Sequence, residues 1–231
     1  MRFLLTNDDG IDATGLSSLQ RGASELGEAH VVAPAEEQSG VAHQVHTHGK
    51  LSLEERGPRR YALGGTPADC ARVGLRGLGI TADWVFAGIN HGGNLGMDVY
   101  MSGTVAAARE AAILGCPAVA FSQVLSAEHS VYWLRSQTSS MRVFGELLDR
   151  GASQGSQAGT YYNVNLPFAP ENDLPEIVFC ELDTSAHDVR YERTEGAIEY
   201  CGVYLDRGRQ PGGDVDVVFS GKIAITELKL G

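Results

Sequence analysis

The sequence predicts an α/β protein with a Rossmann-like, doubly wound and mostly parallel sheet, to which a β-hairpin arm is added near the C-terminal end. Short apolar runs of strand length alternate with segments of helical spacing over the first 122 residues, a pattern typical of parallel strands joined by helices. From about residue 183 short alternating segments follow one another between glycine-containing turns, as in hairpins. With 231 residues and 43% hydrophobic content, the chain is long enough for one sizeable core.

The predicted elements follow in order along the first 122 residues. Short runs rich in apolar residues predict four strands, at residues 3–6, 30–33, 83–89 and 117–122. Helical spacing of leucines predicts a helix over 14–26. Thr66 and Pro67 are typical of an N-cap followed by proline at the first helical position, which predicts a helix to about residue 77. A third helix is predicted over 104–114, ended by Gly115.

The C-terminal part alternates in the strand period at residues 189–192, 198–205 and 222–228, between "RTEG" and "DRGRQPGGD". We therefore divide the chain into a metal- and phosphate-binding core, 1–182, and a second part, 183–231, that carries the hairpin arm and a terminal strand of the core. An isolated hairpin is marginal in water, so the arm is expected to lie on another subunit. This predicts at least a two-fold symmetric dimer, with residues 198–205 close to the partner.

Charge and cysteine content exclude several classes of protein. The formal charge of −11 and a pI near 5.0 disfavour binding to nucleic-acid polymers or to anionic membranes, which requires a basic face. The N-terminal region has no apolar stretch suited to a signal peptide or a membrane span, so the cytoplasm is the expected location. The cysteines at 70, 116, 180 and 201 are scattered without zinc-site spacing, which predicts reduced thiols.

Polar residues cluster at the predicted carboxyl ends of the strands, where open parallel sheets bind ligands. Asp8 and Asp9 are adjacent after the first strand, and two such carboxylates repel each other unless a cation or hydrogen-bond donors balance them. Ser39 and Asn90 follow later strands, and this set of oxygens suits Mg²⁺ or Mn²⁺. The N-terminus of the helix at Thr104 suits a phosphate. A cation facing a phosphate indicates metal-assisted phosphoryl hydrolysis.

Each of these motifs also has a purely structural explanation. The Asp pair can form a capping turn, Ser39 with Gly40 an ordinary turn, and "SGT" an N-cap. Their convergence on strand ends in one short chain favours the functional interpretation. The histidines at 43, 46 and 48 occupy alternate positions, and we interpret them as the polar face of an extended segment rather than as metal ligands.

Four segments closely resemble the SurE family of stationary-phase survival proteins: "LLTNDDGIDATGL", "VVAPAEEQSG", "GTPADCARVGL" and "AGINHGGNLGMDVYMSGTVAAAREAAILGCPAVAFS". The likeness is dense over residues 1–122 and thins after about 123. It implies a Rossmann-like domain with an extended β-hairpin used in homodimer or homotetramer assembly. It also implies metal-dependent hydrolysis of nucleoside 5′-monophosphates.

The resemblance assigns roles to individual residues of this sequence. One divalent ion per subunit, Mg²⁺ or Mn²⁺, would be held by Asp8, Asp9, Ser39 and Asn90. The substrate phosphate would be held by Asn94, Ser102, Gly103 and Thr104. Asp8 and Asp9 would be the catalytic carboxylates, through a water nucleophile that the metal activates.

Three alternatives follow from the same acidic pair. A receiver domain needs an aspartate after the third parallel strand and a lysine after a later one, but Asn90 and "PAVAFSQ" occupy these places. A haloacid-dehalogenase-type phosphatase needs aspartates two residues apart, whereas these are adjacent. A catalytically weak or silent metal-binding oligomer stays open, because the chain stops at "ITELKLG" where many family members continue.

Overall fold

The structure of the protein, a computed structural model, describes residues 1–125, 130–152, 159–169, 173–187 and 189–230. The strands in this part of the chain are β1 (Arg2–Thr6), β2 (Glu28–Pro34), β3 (Leu53–Gly57), β4 (Arg60–Leu63), β5 (Trp84–His91), β6 (Ala118–Gln123), β7 (Thr160–Leu166), β8 (Ile177–Phe179), β9 (Tyr191–Thr194), β10 (Ala197–Tyr200) and β11 (Ile223–Lys229). The α-helices are α1 (Thr14–Leu26), α2 (Pro67–Arg72), α3 (Gly103–Ile113), α4 (Trp133–Asp149) and α5 (Asp214–Phe219).

Nine of these strands form one sheet in the order β3-β4-β2-β1-β5-β6-β7-β11-β8. The pairs from β4 through β2, β1, β5 and β6 to β7 are all parallel, while β3 and β11 are antiparallel to β4 and β7. β1 lies between β2 and β5, so the order of the strands reverses there. The predicted mostly parallel, doubly wound sheet is confirmed, and its switch point lies between β1 and β5.

Helices cover both faces of the sheet because successive side chains of a buried strand point to opposite sides. Phe3 faces α1 and α4, where it joins an aromatic cluster with Phe86 (ring centroids 4.9 Å apart) and Phe144 (5.7 Å). Leu4 faces the opposite side, where α2 and α3 pack. The four strands predicted in the first 122 residues therefore form the centre of the core.

The second helix departs from its predicted length. It begins at Pro67, and Thr66 caps it in a capping box with Asp69, as the sequence indicates. It was predicted to continue to residue 77 but gives way at Val73–Gly77 to a π-helical turn, in which the Leu78 N–H donates to the carbonyl of Val73. The glycines at 74 and 77 weaken the α-helix at this place.

The C-terminal part agrees with the prediction only in part. β9 and β10 form the predicted antiparallel hairpin, and β11 lies in the central sheet between β7 and β8. The strand predicted over 198–205 is wrong beyond Tyr200, because residues 201–203 are irregular and are followed by a 3₁₀ turn, Tyr204–Asp206. Arg207 beside this turn forms a paired contact with Asp98 (2.6 and 2.7 Å), a tertiary interaction that a strand period cannot predict.

The longest of the described helices, α4, has 17 residues. No helix in these ranges has both the length and the apolar character needed to cross a membrane.

Candidate functional site

The acidic pair lies at the switch point of the sheet. Asp8 and Asp9 follow β1 after one residue, Asn7, and the last two residues of the neighbouring strand β5 are Asn90 and His91. The two strand ends are joined by a hydrogen bond in which the His91 N–H donates to Asp9 Oδ2 (3.2 Å). The structure therefore places Asp8, Asp9 and the end of β5, which includes Asn90, at the same edge of the sheet.

Asp8 is held by the first turn of α3. The Thr104 N–H donates to Asp8 Oδ2 (3.1 Å), and the Thr104 hydroxyl donates to Oδ1. Gly103 packs closely on this carboxylate, since a Cβ there would lie 3.0 Å from both Cβ and Oδ2 of Asp8. The small residue lets the helix terminus approach the carboxylate. Both polar groups of Thr104 therefore contact Asp8, although the resemblance assigns this residue to the phosphate.

The carboxylates lack a positive counter-charge within the described part of the chain. Asp8 is only 4% exposed, and no described ion pair involves Asp8 or Asp9. Burial raises the pKa of Asp8. Burial, and then the charge of Asp8, raise the pKa of Asp9 to about 6. A divalent cation fits this site because it would offset the repulsion and the desolvation that raise both pKa values.

Glu37 is a third acidic residue at this site, and sequence reasoning missed it. Its charge acts on both aspartates and contributes to the raised pKa of each. Its Oε1 accepts a hydrogen bond from the Ser39 hydroxyl (2.7 Å). The Gln38 N–H donates to the backbone carbonyl of Asp8 (2.7 Å), which joins the loop after β2 to the end of β1. The acidic residues in "AEEQSG" were the available signal.

The two asparagines of "GINHGGNLG" have different surroundings. The Asn90 Nδ2 donates to the carbonyl of Gly92 (2.9 Å), so its amide oxygen is the group suited to a cation. Asn94 belongs to a buried network, in which its N–H donates to Asn165 Oδ1 (2.8 Å) and its Nδ2 donates to Ser122 Oγ (2.8 Å). Asn163 Nδ2 donates to the Asn94 carbonyl (2.8 Å). The two β7 asparagines were missed, although alternate asparagines in the apolar run "YYNVNL" are the signal.

Ser102 is the N-cap of α3, and its hydroxyl oxygen accepts a hydrogen bond from the Val105 N–H (3.0 Å). With the Thr104 N–H bound to Asp8, the Gly103 N–H is the first-turn donor without a hydrogen bond to the described residues. Unpaired N–H groups and the positive end of the helix dipole both favour an anion at such a terminus. The structure thus places Ser102 and Gly103 beside Asp8 with donor capacity remaining.

The interpretation of the three histidines as a strand face is wrong. Residues 43–48 have no regular secondary structure. His43 Nε2 lies 2.8 Å from Glu110 Oε2, and His46 Nδ1 lies 2.6 Å from Asp69 Oδ2. Buried carboxylates on two helices engage the side chains that a strand would have presented to solvent. Among the described residues, no three His, Cys, Asp or Glu side chains form a metal-binding group.

Comparisons with known proteins agree with this fold. The family model described as "Survival protein SurE" matches residues 3–188. A protein of Synechocystis sp. with a provisional 5′-nucleotidase name is 44% identical over 231 residues, and 100% of both chains is covered. The "5′-nucleotidase SurE" of Geotalea daltonii is 36% identical over 250 aligned positions, covering 100% of this chain and 93% of that protein.

A solved structure extends the comparison to the fold. The crystal structure of the SurE protein from Aquifex aeolicus matches 100% of this chain and 94% of its own, at 29% identity and a TM-score of 0.87. Sequence and structure are thus similar over the length of the chain, including the hairpin region. The chain belongs to the SurE family of survival proteins.

Proposed function

We propose that this protein is a metal-dependent 5′-nucleotidase that hydrolyses nucleoside 5′-monophosphates to nucleoside and phosphate. The observation that carries the proposal is the pair of buried Asp8 and half-buried Asp9, which lies at the switch point without a described ion-pair partner and next to the N-terminus of α3. The names of its relatives support the choice of substrate, since several of them, including the protein of Geotalea daltonii, are called 5′-nucleotidase SurE.

Four residues would hold one Mg²⁺ or Mn²⁺ in each subunit: Asp8, Asp9, Ser39 and Asn90. When bound, such an ion supplies positive charge to the phosphoryl oxygens and acidifies a water nucleophile. The protein's own part is to fix the carboxylates. Thr104 holds Asp8 with two hydrogen bonds, and the His91 N–H holds Asp9. Glu37 accepts a hydrogen bond from the Ser39 hydroxyl, which leaves the lone pairs of Ser39 for a cation.

The substrate phosphate would bind at the N-terminus of α3. The Gly103 N–H and the Ser102 hydroxyl are donors with capacity for a phosphate oxygen, and the helix dipole favours its negative charge. Asn94 presents its amide from a buried and hydrogen-bonded position, so this group is oriented before substrate arrives. Thr104 acts on the reaction through Asp8 as well as through any contact with phosphate.

Release of inorganic phosphate tests the function directly. The full chain is assayed with a series of nucleoside 5′-monophosphates and a generic phosphomonoester, with Mn²⁺ or Mg²⁺ and then with excess chelator. Metal-dependent turnover of the nucleotides is the expected result. Binding of Mn²⁺ without any phosphate release would contradict the proposal and would instead support the catalytically silent metal-binding oligomer.

We also propose that the β9–β10 hairpin contacts another subunit in a homodimer or homotetramer. Three of its large side chains, Tyr191, Ile198 and Tyr200, are each more than half exposed. Among the described aromatic contacts, the rings of Tyr191 and Tyr200 pack only on each other (centroids 5.5 Å apart), at the first residue of β9 and the last residue of β10. Cover by a second chain would remove this apolar surface from water.

A further inference from the structure

The segment that follows Ser39 is fastened to two helices by histidines. His43 Nε2 lies 2.8 Å from Glu110 Oε2 on α3. His46 Nδ1 lies 2.6 Å from Asp69 Oδ2 on α2, and the backbone N–H of His46 donates to the other oxygen of the same carboxylate (2.8 Å). His43 and Glu110 are separated by 67 residues in sequence, and His46 and Asp69 by 23. The contacts therefore fix the loop to distant elements of the core rather than to its own neighbouring residues.

Both carboxylates are buried and need partners. Glu110 is 5% exposed and Asp69 is 2% exposed. Each has a second contact that keeps it compensated: Arg72 Nε lies 3.3 Å from Glu110 Oε1, and the Thr66 N–H donates to Asp69 Oδ2 (3.0 Å). Because a buried carboxylate without partners is costly, these second contacts mean that α2 and α3 do not depend on the histidines alone.

The same loop is joined to the site at its other end. The Gln38 N–H donates to the Asp8 carbonyl (2.7 Å), and the Ala42 N–H donates to the carbonyl of Met101 (3.1 Å), directly before Ser102. Ser39 lies between these two points. Its side chain is exposed, and its described hydrogen bond is a local one to Glu37. The position of Ser39 is therefore set by its flanking residues.

We propose that His43 and His46 are positioning residues, which together we call the histidine clasp: they hold residues 38–46 against α2 and α3 and so keep Ser39 beside Asp8 and Asp9. The inference rests on the proposed metal-dependent function. Without the clasp, the loop must be ordered when the cation binds, and the lost conformational entropy weakens binding. Residues that orient metal ligands contribute about 10- to 100-fold to metal affinity, and we expect about tenfold here because Ser39 is one ligand of several.

Calorimetric titration of the full chain with Mn²⁺ measures this effect without requiring turnover. The test variants are His43→Ala, His46→Ala and the double variant. His48→Ala is the matched control, because His48 is exposed and its described hydrogen bond is to the adjacent Thr47 (2.8 Å). We expect Mn²⁺ affinity to fall about tenfold in the double variant and to stay at the parent value in His48→Ala.

Conservative variants separate positioning from general damage. His43 uses Nε2, which glutamine reproduces with its Nε2, whereas His46 uses Nδ1, which asparagine reproduces with its Nδ2. We therefore expect His43→Gln and His46→Asn to recover most of the lost affinity, and at saturating Mn²⁺ we expect kcat to stay near the parent value. Hydrogen exchange at the amides of Ala42 and His46 should quicken in the alanine variants and slow again in the conservative ones.

Three results would overturn the clasp. They are parent Mn²⁺ affinity in the double alanine variant, equal loss in the conservative variants, and equal loss in His48→Ala. If the alanine variants do not fold, the Mn²⁺ affinity of His43→Asn is compared with that of His43→Gln, since the asparagine side chain is one methylene shorter than that of glutamine. The failure of the proposed function is distinguishable from the failure of the clasp. If the parent chain binds Mn²⁺, loses this binding in Asp9→Asn and releases no phosphate, the proposed function is refuted. The Mn²⁺ titrations of the histidine variants still test the clasp in that case.

Discussion

The switch-point site and the β9–β10 hairpin are unusual in opposite ways. At the site, charged groups are buried: Asp8 lies in the interior without an ion-pair partner among the described residues. On the hairpin, large apolar groups are exposed: Ile198 and the two tyrosines face solvent on a two-stranded sheet. Buried charge and exposed apolar surface are both unfavourable in a lone subunit. These two features support the proposed cation at the site and the proposed second subunit at the hairpin.

The two regions also differ in how firmly the fold holds them. Asp8 is fixed by hydrogen bonds from Thr104, which is 96 residues away in sequence, and by close packing against Gly103. Within the described residues, the two strands of the hairpin pair only with each other. The site is thus preorganised for a small ligand, whereas the arm is an appendage that association would stabilise. The predictions test this difference, from the largest expected effect to the smallest.

The largest effect is expected for Asp8→Asn or Asp9→Asn. Phosphate release should fall by more than about a hundredfold, because several kcal/mol of transition-state stabilisation depend on the metal that these groups would hold. Without metal, the melting temperature should stay the same or rise, since one of two repelling carboxylates has been removed. Asp12→Asn is the matched control, with a side chain that is 80% exposed in the same loop. Near-normal turnover in either site variant would refute the metal assignment.

The second prediction concerns the arm. Sedimentation at micromolar concentration should give a species at least twice 24.6 kDa, with an interface above about 1,000 Å². Ile198→Asp should dissociate it, because a charge would be buried against the partner. Ile113→Asp introduces the same change at an exposed isoleucine on α3 and should leave the assembly intact. A single species near 24.6 kDa for the parent chain would show that the exposed side chains need no partner.

A smaller effect is expected for Thr104→Val. The substitution removes the hydroxyl that donates to Asp8 Oδ1 but keeps the backbone donor, so Asp8 stays in place with one oxygen less well oriented. Turnover should fall by about tenfold, and stability should fall by about 1–3 kcal/mol because a buried acceptor loses its partner. Thr104→Ser should recover most of both. Equal losses in valine and serine variants would mean that packing of the methyl group matters rather than the hydrogen bond.

The next effect concerns the phosphate. Ser102→Ala should raise KM or lower kcat by several-fold, on the scale of about 1 kcal/mol for the net loss of one hydrogen bond. Mn²⁺ affinity should change little, since Ser102 would contact the anion and not the cation. Mn²⁺ binding is measured by calorimetry. If it falls together with activity, Ser102 belongs to the metal site and its assignment to the phosphate is wrong.

The smallest effect is expected for Glu37→Gln. The amide can still accept a hydrogen bond from Ser39 but removes a negative charge that acts on both aspartates. Because Glu37 is exposed and screened by solvent, Mn²⁺ affinity should fall only a few-fold, and the loss should diminish at high salt. Glu36→Gln, the neighbouring exposed carboxylate, is the comparison. An equal loss of Mn²⁺ affinity in Glu36→Gln would show that the effect of Glu37→Gln comes from net charge alone.

Much of the fold and part of the site follow from sequence alone. The apolar runs and the capping signals of Thr66 and Ser102 are local, since one or two residues determine where a strand or helix begins. For this reason β1, β5 and α1 lie where the sequence predicts, and α3 begins within a residue of its expected start. The adjacency of Asp8 and Asp9 after a first strand likewise indicated a site before any neighbour was known.

Only the tertiary structure decided which groups those residues contact. Thr104 was assigned to a phosphate, yet the packing of α3 against β1 directs both of its donors to Asp8. The three histidines have the spacing of a strand, but the buried carboxylates Glu110 and Asp69 bind two of them within a loop. Likewise, the alternating pattern beyond Tyr200 predicts a strand, but the structure has a 3₁₀ turn there, next to the contact of Arg207 with Asp98. Secondary structure depends on neighbours along the chain, whereas the partner of a buried polar group depends on which distant element the fold places beside it.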